Sequence, residues 1–161
     1  MRPPYLKPGD KIGIVSTARK ITAEELQPAV DCFKKEGFEI VFGKNLFNEQ
    51  NQFSGTDEER TEDFQLMLDN PEIKAILCAR GGYGTVRIID KLDFTAFQKN
   101  PKWICGFSDV TVLHSHIEKN FGIETIHSIM PVQLKKLGGE SEAAKTLIKS
   151  LKGETLDYQF P

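Results

Sequence analysis

Four times within the first 130 residues the chain sets a short apolar run against a longer stretch of helical period, with few residues between them. The runs are Lys11 to Thr17, Phe38 to Gly43, Ile73 to Ala79 and Lys102 to Gly106, and "IETIHS" adds a fifth short one. Parallel strands need a crossover of a dozen or more residues, and the intervening segments are of that length. The alternation therefore implies an α/β fold, a three-layer sandwich with a mainly parallel sheet covered by helices on both faces.

Punctuation supports the helices. Thr22 with Glu25, and Thr56 with Glu59, have the capping-box spacing, while Gly37 and Gly122 stand where helices should stop. Pro28 is expected to kink the first helix, and "TVRIIDKLDFTAF" reads as one helix. From about Pro131 the apolar content thins. Residues 1–130 are expected to form one α/β domain, and residues 131–161 a linker and the start of a domain that the chain does not finish.

Several function classes drop out on composition. With 21 basic and 23 acidic residues in 161, the net charge of −2 gives no electrostatic footprint for nucleic acid. No apolar run approaches the roughly 20 residues of a membrane span, and the proline-rich start is not a signal peptide. Cys32, Cys78 and Cys105 are far apart and odd in number, and no CxxC or HxxxH spacing marks a metal site. Buried, reduced thiols in a cytoplasmic protein are the expectation.

In parallel sheets ligands bind beyond the carboxyl ends of the strands. Three such ends are chemically loaded: "STAR" after the first, "RGGYG" after the third and "GFSD" after the fourth. Gly81 and Gly82 allow positive φ and close approach, so their N–H groups can face an anion, although a lone glycine pair is more often a tight turn. Ser108 follows Gly106 by two residues at a strand-to-helix corner, the form of a nucleophile elbow, with the Asp109 N–H as an oxyanion donor. Val110 breaks the usual G-x-S-x-G. A serine N-cap is the competing reading, and the neighbouring "RGGYG" favours the nucleophile. No base is evident: His114 and His116 lie too far along the next helix, and His127 reads as a wall residue.

The segments "LKPGDKIGIV", "GTDEERTEDFQLMLDNPEIKAILCARGGYG" and "NPKWICGFSDVTVLH" resemble the LD-carboxypeptidase family of serine peptidases, which includes muramoyl-tetrapeptide carboxypeptidases and immunity enzymes that inactivate microcin C. The resemblance, from about Leu6 to Met130, implies a Rossmann-like or flavodoxin-like N-terminal domain of a bacterial cytoplasmic enzyme about twice this length. It implies Ser108 as catalytic nucleophile, with an oxyanion hole from the backbone N–H groups of Asp109 and Gly82, then Gly81. The triad's Glu and His are implied in an absent C-terminal domain, and no metal or cofactor is required. The implied reaction removes the terminal D-alanine of murein tetrapeptides. A microcin-type immunity amidase and a non-catalytic binding module are the alternatives. Arg80, Ser16, Thr17 and His127 border the implied substrate cleft. "HSIM" stands where the family commonly has "HGPM", and "STA" replaces an Ala-Pro-Ser-like turn. Apolar surface is expected near Phe107 and Met130, available to a missing half or a homodimer.

Overall fold

The central apolar runs are strands buried on both faces, as all-parallel sheets require. The computed structural model describes residues 1–158. Lys11–Val15 (β1), Glu39–Phe42 (β2), Ile73–Cys78 (β3), Trp103–Gly106 (β4) and Ile126–His127 (β5) form one sheet in the order β2-β1-β3-β4-β5. Every pairing is parallel. The helices are Ala23–Lys35 (α1), Asp57–Asp69 (α2), Thr85–Ile88 (α3), Thr95–Lys99 (α4), Thr111–Phe121 (α5), Leu134–Leu137 (α6) and Glu142–Lys152 (α7).

Alternation along the strands divides the core. Ile12, Ile14 and Leu77 face Leu26, Val30 and Phe33 of α1 on one side of the sheet. Val15, Ile76 and Ile104 face Phe64 and Leu68 of α2, Phe97 of α4 and Leu113 and Ile117 of α5 on the other. Gly13 lets α2 lie close, since a Cβ there would meet the Met67 sulfur at 2.7 Å. The chain turns from β1 to β2 on one side and crosses to β3 on the other. The carboxyl ends of β1 and β3 therefore open the crevice where such folds hold ligands.

Both capping boxes form, at Thr22 and at Thr56. α1 runs through Pro28 without interruption. "TVRIIDKLDFTAF" is not one helix: α3 passes into a 3₁₀ turn, Ile89–Lys91, and α4 starts afresh. Leu92 is extended, and the Asp93 carboxylate accepts from the Thr95 N–H at 2.8 Å, offering the backbone an alternative to the helix.

The segment after Pro131 differs from the expected linker. Leu134, Ala144, Leu147, Ile148 and Leu151 belong to the same core as α1, and the Leu6 N–H donates to the Leu151 carbonyl at 2.8 Å. Each buried Leu or Ile contributes about 1.5–3 kcal/mol, so α6 and α7 complete this domain's face. Met130 is only 4% exposed and lies in the opposite core. The apolar patch expected around it does not form, and Phe107 is half-buried. Among the described residues no helix is long and apolar enough to cross a membrane.

One buried charge fastens two layers. Lys102 is 1% exposed, and its ammonium donates to the carbonyls of Met67, Leu68 and Asn70 at 2.7–2.9 Å. The Met67 and Leu68 carbonyls are orphan acceptors at the negative end of α2, and the Asn70 carbonyl, just past it, also accepts from the Ile73 N–H at 3.2 Å. Burial lowers the Lys102 pKa to about 8, while the three carbonyls hold the proton in place. Replacing Lys102 with Met keeps the stem and removes the donors. Urea denaturation is expected to show a loss of about 2 kcal/mol or more, against less than about 0.5 kcal/mol for exposed Lys99→Met.

Candidate active site

The turn after β4 holds a non-glycine residue in a conformation that few such residues adopt. Ser108 has φ of 60°, in the left-handed region, and is exposed. Such a residue costs on the order of 1–3 kcal/mol and persists only where its surroundings enforce it. Gly106 supplies part of that enforcement. Its φ is 153°, and a Cβ there would meet the Val110 side chain at 2.9–3.1 Å. A small residue two positions before the serine is thus a steric requirement. Val110, at the position of the missing second glycine, fills the space over Gly106. The capping alternative does not hold, because no serine hydroxyl caps the 3₁₀ turn Ser108–Val110 or α5. Among the described residues the Ser108 hydroxyl has no hydrogen-bond partner.

The "RGGYG" turn lies against this corner. A Cβ on Gly81 would stand 3.7 Å from the Ser108 Cβ and 3.2 Å from the Met130 methyl carbon. Gly82 has φ of 126°, and a Cβ on Gly84 would meet the Ala18 Cα at 2.7 Å, so the turns after β1 and β3 touch backbone to backbone. Among the described residues the N–H groups of Gly81, Gly82 and Asp109 donate to nothing. Unpaired donors beside an exposed hydroxyl are the raw material of an oxyanion site.

A polar chain ties the turns together beneath the surface. One Asp109 carboxylate oxygen accepts from the Thr85 N–H at 2.9 Å and from the Thr85 hydroxyl at 2.7 Å. The Thr17 and Thr85 hydroxyls lie 2.8 Å apart. Thr85 has one hydroxyl proton, so if it goes to the carboxylate, Thr17 donates to Thr85. Burial pushes the pKa of the Cys78 thiol up to about 12. The residues after β1, β3 and β4 thereby share one network.

Other residues singled out from the sequence fall elsewhere. Ser16 is buried and donates to the Arg19 carbonyl at 2.6 Å, and Thr17 is fully buried. Both shape the turn and do not face the cleft. Arg80 points towards α1, with Glu25 at 3.4 Å and the Lys20 carbonyl at 3.3 Å. His127 is exposed at the end of β5, its ring 6.1 Å from that of Phe107. The His114 Nε2 lies 2.9 Å from the Gly106 carbonyl, and burial lowers its pKa. His116 stacks near Phe94 and Phe121. Sequence reasoning passed over Arg19, whose side chain crosses Gly82. Its place in "STAR", at a strand's carboxyl end, was the available signal.

Residues 12–128 match the model of the LD-carboxypeptidase N-terminal domain. A probable murein peptide carboxypeptidase of Bacillus subtilis is 37% identical over 129 residues, 80% of this chain and 40% of that protein. The chain thus spans well under half of that relative's length. The solved structure of microcin C7 self-immunity protein MccF with aspartyl sulfamoyl adenosine superposes with a TM-score of 0.86 at 28% identity, covering 99% of this chain and 50% of that one. A muramoyltetrapeptide carboxypeptidase from Oxalobacter formigenes gives 0.67 at 27% identity, over 75% and 40%.

If Asp109 and Thr85 couple the two turns, their substitutions should not be additive. Asp109→Ala strands the Thr85 donors and is expected to cost about 1–3 kcal/mol. Thr85→Val is expected to cost about 1 kcal/mol. In a urea-denaturation double-mutant cycle the pair should show an interaction energy of at least about 0.5 kcal/mol. Additivity within about 0.3 kcal/mol would mean that the turns are independent.

Proposed function

The chain belongs to the LD-carboxypeptidase family, and we propose that it is the nucleophile-bearing part of a serine carboxypeptidase that cleaves the L,D bond to the terminal D-alanine of murein tetrapeptides. One observation carries this reading: Ser108 is exposed at positive φ, with a free hydroxyl, beside the unpaired N–H groups of Gly81, Gly82 and Asp109. In the proposed reaction the Ser108 oxygen bonds to the scissile carbonyl carbon, and the N–H groups stabilise the negative oxygen that forms. Collapse breaks the C–N bond, and the leaving D-alanine nitrogen takes a proton. Water then cleaves the acyl-serine.

The proton needs a base. Among the described residues no imidazole hydrogen-bonds the Ser108 hydroxyl: the His114 Nε2 meets the Gly106 carbonyl, and His116 and His127 make ring contacts with Phe94 and Phe107. We assign base and orienting acid to a His and a Glu of a C-terminal domain. A bacterial cytoplasmic site of action, in peptidoglycan recycling, accords with three free thiols.

The fuller superposition on the microcin self-immunity protein favours a second reading, an amidase acting on a peptidyl nucleotide. The same Ser108 chemistry serves both. The discriminating contacts, such as an aromatic platform for a base, would come from the other half.

The 161-residue chain alone is expected to release D-alanine from a murein tetrapeptide at least about 10³-fold more slowly than a full-length relative, because an oxyanion hole without its base retains only residual catalysis. Ser108→Ala should change little further. Turnover near the relative's rate would place the base within this chain and overturn the assignment.

A further inference from the structure

Four of the five arginines are spoken for. Arg2 pairs with Glu124, Arg60 and Arg87 with Asp57, and Arg80 with Glu25. The Arg19 guanidinium has no ion pair and no hydrogen bond among the described residues. Its side chain is exposed, and its stem runs over Gly82. A Cβ on Gly82 would meet its Cγ at 2.7 Å, its Cδ at 2.9 Å and its Nε at 3.1 Å. The stem lies on the turn that holds the unpaired N–H groups, in space that only glycine leaves open.

The backbone at Arg19 is held from three sides. Its N–H donates to the Gly81 carbonyl at 3.4 Å, its carbonyl accepts from Ser16 at 2.6 Å, and it bridges to Phe53. A free cation on a pinned backbone, laid across the candidate oxyanion turn, has the features of an anion anchor. We propose that Arg19 binds the free C-terminal carboxylate of the peptide and so makes the site select chain ends. This rests on the carboxypeptidase reading above.

A Cβ on Gly81 would stand 3.7 Å from the Ser108 Cβ, and one on Gly82 would meet the Arg19 stem, so serine and arginine flank the same two-residue turn. The planar fork of arginine suits a carboxylate bidentately, which lysine cannot match. Arg80, expected at the border of the cleft, pairs with Glu25 instead.

The test is binding, which needs no base. N-acetyl-L-lysyl-D-alanine, as free acid and as C-terminal amide, is titrated into the isotope-labelled 161-residue chain and followed by NMR at the Gly81 and Gly82 amides. The free acid is expected to bind at least about tenfold more tightly than the amide. Arg19→Gln should bring the two affinities together by weakening the acid alone, and Arg19→Lys should keep part of the preference. Unchanged thermal unfolding of each variant establishes that the fold is intact. An acid preference that survives in Arg19→Gln, or no preference or binding in the unsubstituted chain, would overturn the assignment. The serine reading is judged separately, by D-alanine release from a full-length relative and from its variant with alanine at the serine aligned with Ser108. Loss of hydrolysis in that variant without an acid preference here removes the Arg19 role alone, and hydrolysis that survives in it removes the serine reading.

Discussion

The Asp109 carboxylate, accepting twice from Thr85, is the interaction on which the candidate site depends. Asp109 belongs to the turn after β4, and Thr85 opens the helix after the "RGGYG" turn. That contact adds a polar fastening to turns that already meet by packing at Gly81 and Gly84. With it, the serine and the glycines occupy one surface. Thr17 extends the fastening to β1, and the buried Cys78 thiol lies under it. A buried polar chain of this kind is costly if any member is removed, because the remaining members lose their partners in a place that water does not reach.

The strained serine follows from the same packing. A residue at φ of 60° needs neighbours that forbid relaxation. Gly106 and Val110 interlock on one side, and Asp109 is held on the other, so the Ser108 backbone lies between two fixed points. The result is a hydroxyl turned outward with nothing to bond, beside donors with nothing to bond. An approaching carbonyl would satisfy both. Preorganisation of this sort lowers a barrier because the donors are already placed when charge develops.

Much of this was legible in the sequence because it is written locally. The apolar runs gave the strands, the Thr-x-x-Glu spacings gave two helix starts, and Gly106 two residues before Ser108 gave the strained corner. What was not legible depends on partners far along the chain. Lys102 reads as the polar start of a strand, and nothing nearby shows that its ammonium closes α2 some thirty residues earlier. Leu134, Leu147 and Leu151 looked too few for a second core, and they complete the first one. Ser16 and Thr17 are polar residues at a strand's carboxyl end, the usual sign of a ligand contact, yet their hydroxyls are used inside the turn. Arg19 was hidden for the opposite reason. A surface arginine carries no signal until the glycine beneath it is seen.

The central claim is that Ser108 and the N–H groups of the two turns act on one oxygen. The direct measurement is NMR of the labelled chain with a saturating peptidyl boronic acid at mildly alkaline pH, where solvent hydroxide takes the proton released as the Ser108 oxygen bonds to boron, so that the tetrahedral adduct needs no base from the chain. The expected result is an adduct at Ser108 with large, concerted shifts of the Asp109 amide and of Gly82 or Gly81. An adduct that moves Asp109 and leaves both glycines unchanged, or no adduct at Ser108, would contradict the account.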